Sequence, residues 1–388
     1  MKKHGIMLLV MGILSIGAGS VPTLGDALVA RKQAAAAELK SLAANRARWL
    51  GAPLESITFD KVLIAPTGDK RDYISVGRYW WPDPKKPDGL PYIRRDGQTN
   101  PEAEKNDIIK MNRMISAVRG LALLYHFTGD EEAAAHAVQM LKTFFTDPET
   151  GMNPHLTYAQ AVPGREEGRP LGIIDTYVMI ELTDCMALLK NARAMDAEDY
   201  RRLQQWFREY MNWLRSERMA AAFKQTRNNI DVAYHAQIAA YALFCGETDI
   251  AREHLTVLQN AVPGFIHQDG VLPWEIVRTR SWDYSVYALD ILFTAVSMAQ
   301  NMGMDWISEK TPHGQRIRSA VDYLCGYIGR EAEWPFQQLN GPIAVDSLGG
   351  VLRKIHYFTG DAKYANAYRQ LKKPRAAQTT ALFYPAPE

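Results

Sequence analysis

The sequence predicts an all-α fold of helical hairpins, an (α/α) toroid or barrel whose long loops line a cleft. Apolar residues recur at helical spacing along most of the 388-residue chain, and alternating strand patterns are scarce. A hairpin signature also appears three times: Tyr125-His126-Phe127-Thr128-Gly129-Asp130, Phe244-Cys245-Gly246-Glu247-Thr248-Asp249 and Tyr357-Phe358-Thr359-Gly360-Asp361. In each copy an apolar helix ends, a glycine can take the left-handed C-terminal cap, and an aspartate or threonine can cap the following helix. Repeated hairpins build either an open solenoid or a closed toroid. Polar and aromatic stretches are confined to a few long loops instead of recurring in every repeat, which favours the toroid.

Helices are expected over residues 30–50, 105–127, 131–145, 174–190, 197–218, 229–244, 250–260, 285–302, 314–328 and 345–357. Two connections, residues 58–104 and 146–173, lack helical periodicity and are rich in aromatics and proline. Long irregular segments in a compact domain usually carry function.

With 47% hydrophobic and 23% charged residues, the composition is that of a globular protein able to bury a large core. The formal charge of +2 comes without a basic run, so no nucleic-acid partner is implied. Cys185, Cys245 and Cys325 sit in apolar helical patterns as small hydrophobes, and their odd number and spacing suggest neither a disulfide framework nor a zinc site. Met1-Lys2-Lys3-His4, followed by the apolar run Gly5 to Gly17 and then small residues, reads as a secretory signal peptide. Cleavage is expected after Ser20 or after Ala27, leaving residues 28–388 as one domain that is periplasmic or secreted, with no membrane anchor. The apolar run is too short to span a bilayer.

Four stretches could carry chemistry. The first contains Tyr79-Trp80-Trp81-Pro82-Asp83-Pro84 and Pro91-Tyr92-Ile93-Arg94-Arg95-Asp96-Gly97. Aromatic faces stack on sugar rings and arginine forks match carboxylates, so this mixture suits an acidic carbohydrate; the alternative is a loop that packs its tryptophans and pairs its arginines locally. The second offers His155, Tyr158, Gln160 and Arg169, which could donate hydrogen bonds to a sugar or move a proton. Asn228-Asn229 open an apolar helix, where asparagines serve as caps and where amides plus the helix dipole can also hold a carboxylate. The fourth runs from Pro273 to Tyr284 and includes Glu275, Arg278, Arg280 and Asp283.

Together these stretches resemble the alginate lyase superfamily of polysaccharide lyases, over roughly residues 70 to 300. The landmarks are the Tyr-Trp-Trp-Pro-Asp-Pro and Pro-Tyr-Ile-Arg-Arg-Asp-Gly runs, Met152-Asn153-Pro154 with Tyr158-Ala159-Gln160 and Pro163-Gly164, and Gly172-Ile173-Ile174-Asp175. Asn228-Asn229 with Tyr234 and Gln237, and Glu275 with Arg278-Thr279-Arg280 and Tyr284, complete the set. The resemblance implies an incomplete α/α toroid that cleaves polyuronates, alginate or glucuronan-like, by β-elimination, with no nucleotide or redox cofactor and no metal. By position, Asn228, Asn229 and Arg278 would hold the substrate carboxylate, and Tyr284 would act as base and acid. Trp80, Trp81, Arg94, Arg95, Tyr158, Gln160, Tyr234 and Arg280 would contact the polymer.

One departure matters. Many members carry histidine directly after the two asparagines, where this chain has Ile230. Either Tyr284 works alone, then, or a histidine elsewhere, His155 ahead of His235, takes the missing place. Two rival functions use the same residues. One is a glycoside hydrolase with paired carboxylates among Asp231, Glu275 and Asp283. The other is a polyuronate-binding protein without turnover.

Overall fold

The computed structural model describes residues 36–225 and 227–387, and residues 1–27, where the export signal is expected, lie outside them. No helix among the described residues is long and apolar enough to cross a membrane. Contacts divide the described chain into two compact units: residues 42–224 with 240–251, and residues 225–239 with 252–387 plus the segment before 42.

Helix α1 (Asp107–Thr128) opens the first unit's core, burying Met111, Met114, Ile115, Val118 and Leu121. It ends where Gly129 adopts φ 74° and donates its N–H to the Tyr125 carbonyl. Asp130 then caps α2 (Glu131–Leu141) by accepting from the Ala133 N–H at 3.1 Å. The sequence predicts this hairpin on the same grounds. α1 packs against α2 and against α3 (Ile180–Leu189), and α4 (Ala197–Leu214) follows. Close approach is required at Gly120, where a Cβ would lie 2.5 Å from the Trp49 ring. Phe145, Trp206, Phe207, Tyr210 and Tyr241 form an aromatic core in this unit.

The next helices are α5 (Asn229–Cys245) and α6 (Thr248–Phe265), joined through Gly246 at φ 80°. The second unit continues with α7 (Ser281–Asn301), α8 (Pro312–Cys325), α9 (Gly349–Thr359) and α10 (Ala362–Gln370). The third hairpin signature is realised between α9 and α10, where Gly360 takes φ 64° and the Asp361 side chain accepts from the Lys363 N–H. The three cysteines are free.

Three departures from the periodicity concern the site. The expected helix at 174–190 starts as a 3-10 turn, Pro170–Met179, before becoming regular. A short helix, Pro273–Ile276, lies where a loop is expected. Finally, α7 begins at Ser281, four residues before the periodicity does, and so includes Tyr284 in its first turn. The early start has a packing cause. Trp282 is fully buried against Trp334 at 5.2 Å, and its ring N–H reaches the Ala344 carbonyl at 3.2 Å.

The two long connections are pinned by small sheets. β1 (Ile74–Val76) runs parallel to β4 (Tyr158–Ala161), and β2 (Trp80–Trp81) runs antiparallel to β3 (Ile93–Arg94). The buried Asp107 carboxylate anchors β1 to the start of α1, accepting from the Ile74 N–H at 2.9 Å and from Lys61 at 2.6 Å.

Candidate active site

In the second unit, the start of α5 gathers three acidic or amide side chains into one bonded cluster. Asn228 is the helix cap, its Oδ1 accepting from the Ile230 N–H at 2.8 Å. Asp231 turns back to accept from the N–H groups of Arg227 and Asn228, both at 3.0 Å. Asn229 donates its backbone N–H to Glu275 Oε1 at 2.7 Å and its Nδ2 to both carboxyl oxygens at 3.0 Å. Glu275 is fully buried on the short helix, and burial pushes its carboxyl up to about 7. The Asn229 bonds and the Arg278 charge oppose that rise, and Asp231 adds to it.

Six residues along the chain from Arg278, at the first turn of α7, stands Tyr284. The Arg278 guanidinium lies 3.9 Å from the centre of the Tyr284 ring, a close cation–π contact. Arg280 binds Asp283 through Nε at 2.8 Å and Nη2 at 2.7 Å, and Gln338 donates to the same oxygen of Asp283. Of the two arginines considered beside Tyr284, Arg278 lies over its ring. Tyr234 is buried with its ring edge on His235 and His254.

His235 is a poor substitute for the histidine missing at Ile230. Its Nδ1 lies 2.9 Å from Nδ1 of His254, both rings are buried, and burial together with the second imidazole pushes the ring down to about 3. Such a ring stays neutral at any ordinary pH. His155 belongs to the first unit, with Nε2 3.1 Å from Asp72, and its ring lies near Tyr158.

The first unit holds the remaining expected contacts. Trp81 donates its ring N–H to the Gln98 carbonyl at 2.9 Å and carries Arg95 at 4.9 Å from its ring centre. Arg94 pairs with Asp96 at the surface. Trp80 lies under two guanidiniums, Arg165 at 5.4 Å and Arg169 at 5.6 Å. Gln160 adopts φ 49°, where β4 loses register with β1, and Ser75 Oγ accepts its N–H at 2.8 Å. Its side chain is held at both ends, Nε2 donating to Asp175 at 2.8 Å and Oε1 accepting from Arg169 at 3.1 Å. Asp175, the last residue of the Gly172-Ile173-Ile174-Asp175 run, is the buried hub of this loop. Nothing local marks it as one, because its partners Tyr73 and Ser75 lie about 100 residues earlier.

Among the described residues no three His, Cys, Asp or Glu side chains converge as metal ligands. The carboxylates among which a hydrolase would find its pair are each bonded within the structure: Asp231 to backbone N–H groups, Glu275 to Asn229, and Asp283 to Arg280 and Gln338.

A model of the alginate lyase family matches residues 56–334. The chain belongs to the alginate lyase family. Among solved structures, an alginate lyase from Bacteroides ovatus is 35% identical at a TM-score of 0.86, over 93% of this chain and 97% of that one. Alginate lyase A1-III from Sphingomonas species A1 shares the fold at 15% identity and a TM-score of 0.58, over 90% and 93% of the two chains. A variant of A1-III complexed with tetrasaccharide aligns at 14% identity and a TM-score of 0.59, over 91% and 94%. No curated protein sequence matches the chain.

As an alginate lyase family member the chain is a polysaccharide lyase, in agreement with the sequence landmarks, and its fold class is the all-α, toroid-type assembly of hairpins that the periodicity predicts. The matched region contains both the Asn229–Glu275 cluster and the Trp80 loop.

Proposed function

We propose that this lyase acts on alginate or a related polyuronate by β-elimination, with Tyr284 as both base and acid. The Arg278 guanidinium 3.9 Å from the Tyr284 ring carries this reading, because it brings the carboxylate-binding charge and the proton carrier together. The step takes the C5 proton to the phenolate, moves the C5–H electron pair into a C4=C5 double bond, and breaks the C4–O4 bond. The phenol then returns its proton to O4. The substrate carboxylate opposes the first transfer, since charge builds on it as the C5–H bond breaks, so donors that tighten on that charge lower the barrier.

Arg278 supplies one such donor set. Asn228, whose Oδ1 is spent as a cap, retains its NH2 for the carboxylate, and Asn229 retains the second N–H of an amide whose first is directed at Glu275. To act as base Tyr284 must present its phenolate, and the Arg278 guanidinium stands over its ring. With His235 sealed and neutral, the reading rests on Tyr284 without a histidine beside the asparagines. We also propose that the chain is exported, on the strength of its first residues alone.

The test is a panel of acidic polysaccharides, alginate and glucuronan among them, followed by ultraviolet absorbance. Elimination leaves a conjugated C4–C5 double bond that absorbs. Release of reducing ends with no rise in absorbance would make the enzyme a hydrolase and sink the proposal. Binding of the polymers without either signal would leave only the non-catalytic rival. Export is tested by fractionating expressing cells, where retention of the full-length chain in the cytoplasm overturns it.

A further inference from the structure

We propose that Arg169 and Arg165, gathered over Trp80, form a second carboxylate-binding position for the polymer, and that buried Asp175 positions Arg169 through Gln160. This rests on the polyuronate reading above and deepens it by assigning a charge-reading position within the first unit.

Arg169 has no counterion within ion-pair distance among the described residues and lies against an aromatic ring beside a second guanidinium. Arg119, Arg208 and Arg280 are paired with Glu181, Glu247 and Asp283, whereas Arg169, like Arg71 on the Gly151 carbonyl and Arg95 on the Trp81 ring, has no ion pair among the described residues. Arg169 is half-buried and has only neutral partners, its Nε donating to the Gln160 carbonyl at 2.8 Å and its Nη2 to Gln160 Oε1 at 3.1 Å. Among the described residues no carboxylate lies within 4.0 Å of its guanidinium, although Glu166 and Asp175 attract it from further away and Arg94 repels it. Burial lowers its pKa, as expected for a cation removed from water without a partner. A guanidinium has five donors, two of which Gln160 engages, so donors remain for a planar carboxylate. Arg165, exposed and likewise without an ion pair among the described residues, lies over the same indole and adds a second positive charge.

The surrounding structure keeps the guanidinium where it is. Asp175 is buried and accepts three side-chain bonds, from Tyr73 at 3.1 Å, Ser75 at 2.6 Å and Gln160 at 2.8 Å. It thereby fixes a glutamine whose backbone is in the left-handed region, where a non-glycine residue is strained. Gly77 leaves the space. A Cβ there would come within 2.6 Å of the Trp80 ring and 2.7 Å of Arg169 Nη2. An arginine needed only to brace a loop would be cheaper if paired with an acid; one held by neutral oxygens keeps its full charge for a ligand.

The experiment uses the full chain in a Tyr284→Phe background, so that an alginate oligosaccharide binds without turnover. Affinity is measured by calorimetry for this oligosaccharide and for the same oligosaccharide with its carboxylates reduced to alcohols. Arg169→Gln should weaken binding of the uronate form about 10- to 100-fold, the usual effect of losing a charge-assisted pair, and leave the neutral form's weaker binding unchanged. Asp175→Asn should weaken the uronate form less and in the same selective way. In the active enzyme Arg169→Gln should raise KM with kcat held within a few-fold.

Equal affinity of Arg169→Gln for the uronate form overturns the proposal, as does an equal loss for both forms, which marks a loop that has merely collapsed. If Arg169→Gln does not fold, Arg165→Gln at the surface decides: selective weakening supports the subsite, and no change refutes it. Failure of the polyuronate reading looks different, since the unmutated protein would then neither bind nor cleave any uronate polymer.

Discussion

Replacing Glu275 by glutamine should remove a pH dependence of stability that this one carboxyl imposes. Its folded-state value is about 7, against an ordinary 4.5, with burial as the main cause. Below about 4.5 both the folded and the unfolded chain hold the proton. Between 4.5 and 7 the folded chain keeps a proton that the unfolded chain sheds, so stability falls as pH rises, and above about 7 the loss is complete. At 1.36 kcal/mol per unit the loss amounts to about 3 kcal/mol. Glutamine cannot accept at both positions that face Asn229, so Glu275→Gln should start at a disadvantage of about 1 kcal/mol at low pH. That disadvantage should then shrink and reverse as pH rises, since the variant has no proton to lose. Chemical denaturation of both proteins from pH 4.5 to 8 measures the difference directly. A stability difference that stays flat across this range would refute the reasoning, because it would mean that Glu275 titrates alike in the folded and unfolded chains.

Three further outcomes follow from the same geometry. Tyr284→Phe keeps the ring under Arg278 and removes only the hydroxyl, so kcat on the cleaved polymer should fall by roughly three orders of magnitude or more while thermal stability shifts by less than about 1 kcal/mol. Asn229→Ala strips the side-chain bonds from a buried carboxyl; it should cost about 1–3 kcal/mol at pH 8 and move the pH midpoint of the stability curve above 7, read by the same denaturation series. Gly120→Ala forces a methyl to within 2.5 Å of the Trp49 ring and should lower stability by about 1–3 kcal/mol, seen as a drop in Tm; an unchanged Tm would mean that the indole can move aside.

The hairpins were legible because the forces that make them are local. Gly129 and Gly360 sit within a few residues of the caps they complete, and Asp130 and Asp361 bond N–H groups two or three positions ahead. Arg278 and Tyr284 were legible as a pair for the same reason: six residues of chain, one short helix and one helix start bring them together. The start of α7 was missed by four residues because a distant contact, Trp282 on Trp334, extends the helix beyond its apolar repeat.

What the sequence by itself determined was therefore the helical class, a set of candidate site residues and, through their joint pattern, the family. Tertiary structure alone decided how those residues are engaged. It turned Asn229 toward Glu275, 46 positions away, and placed Asp175 under Tyr73, 102 positions away. It sealed His235 against His254 and bonded Arg169 to Gln160. The physical reason is that caps and periodicity act within a few residues, whereas burial, which sets the state of a carboxyl or imidazole, depends on every segment that closes over it.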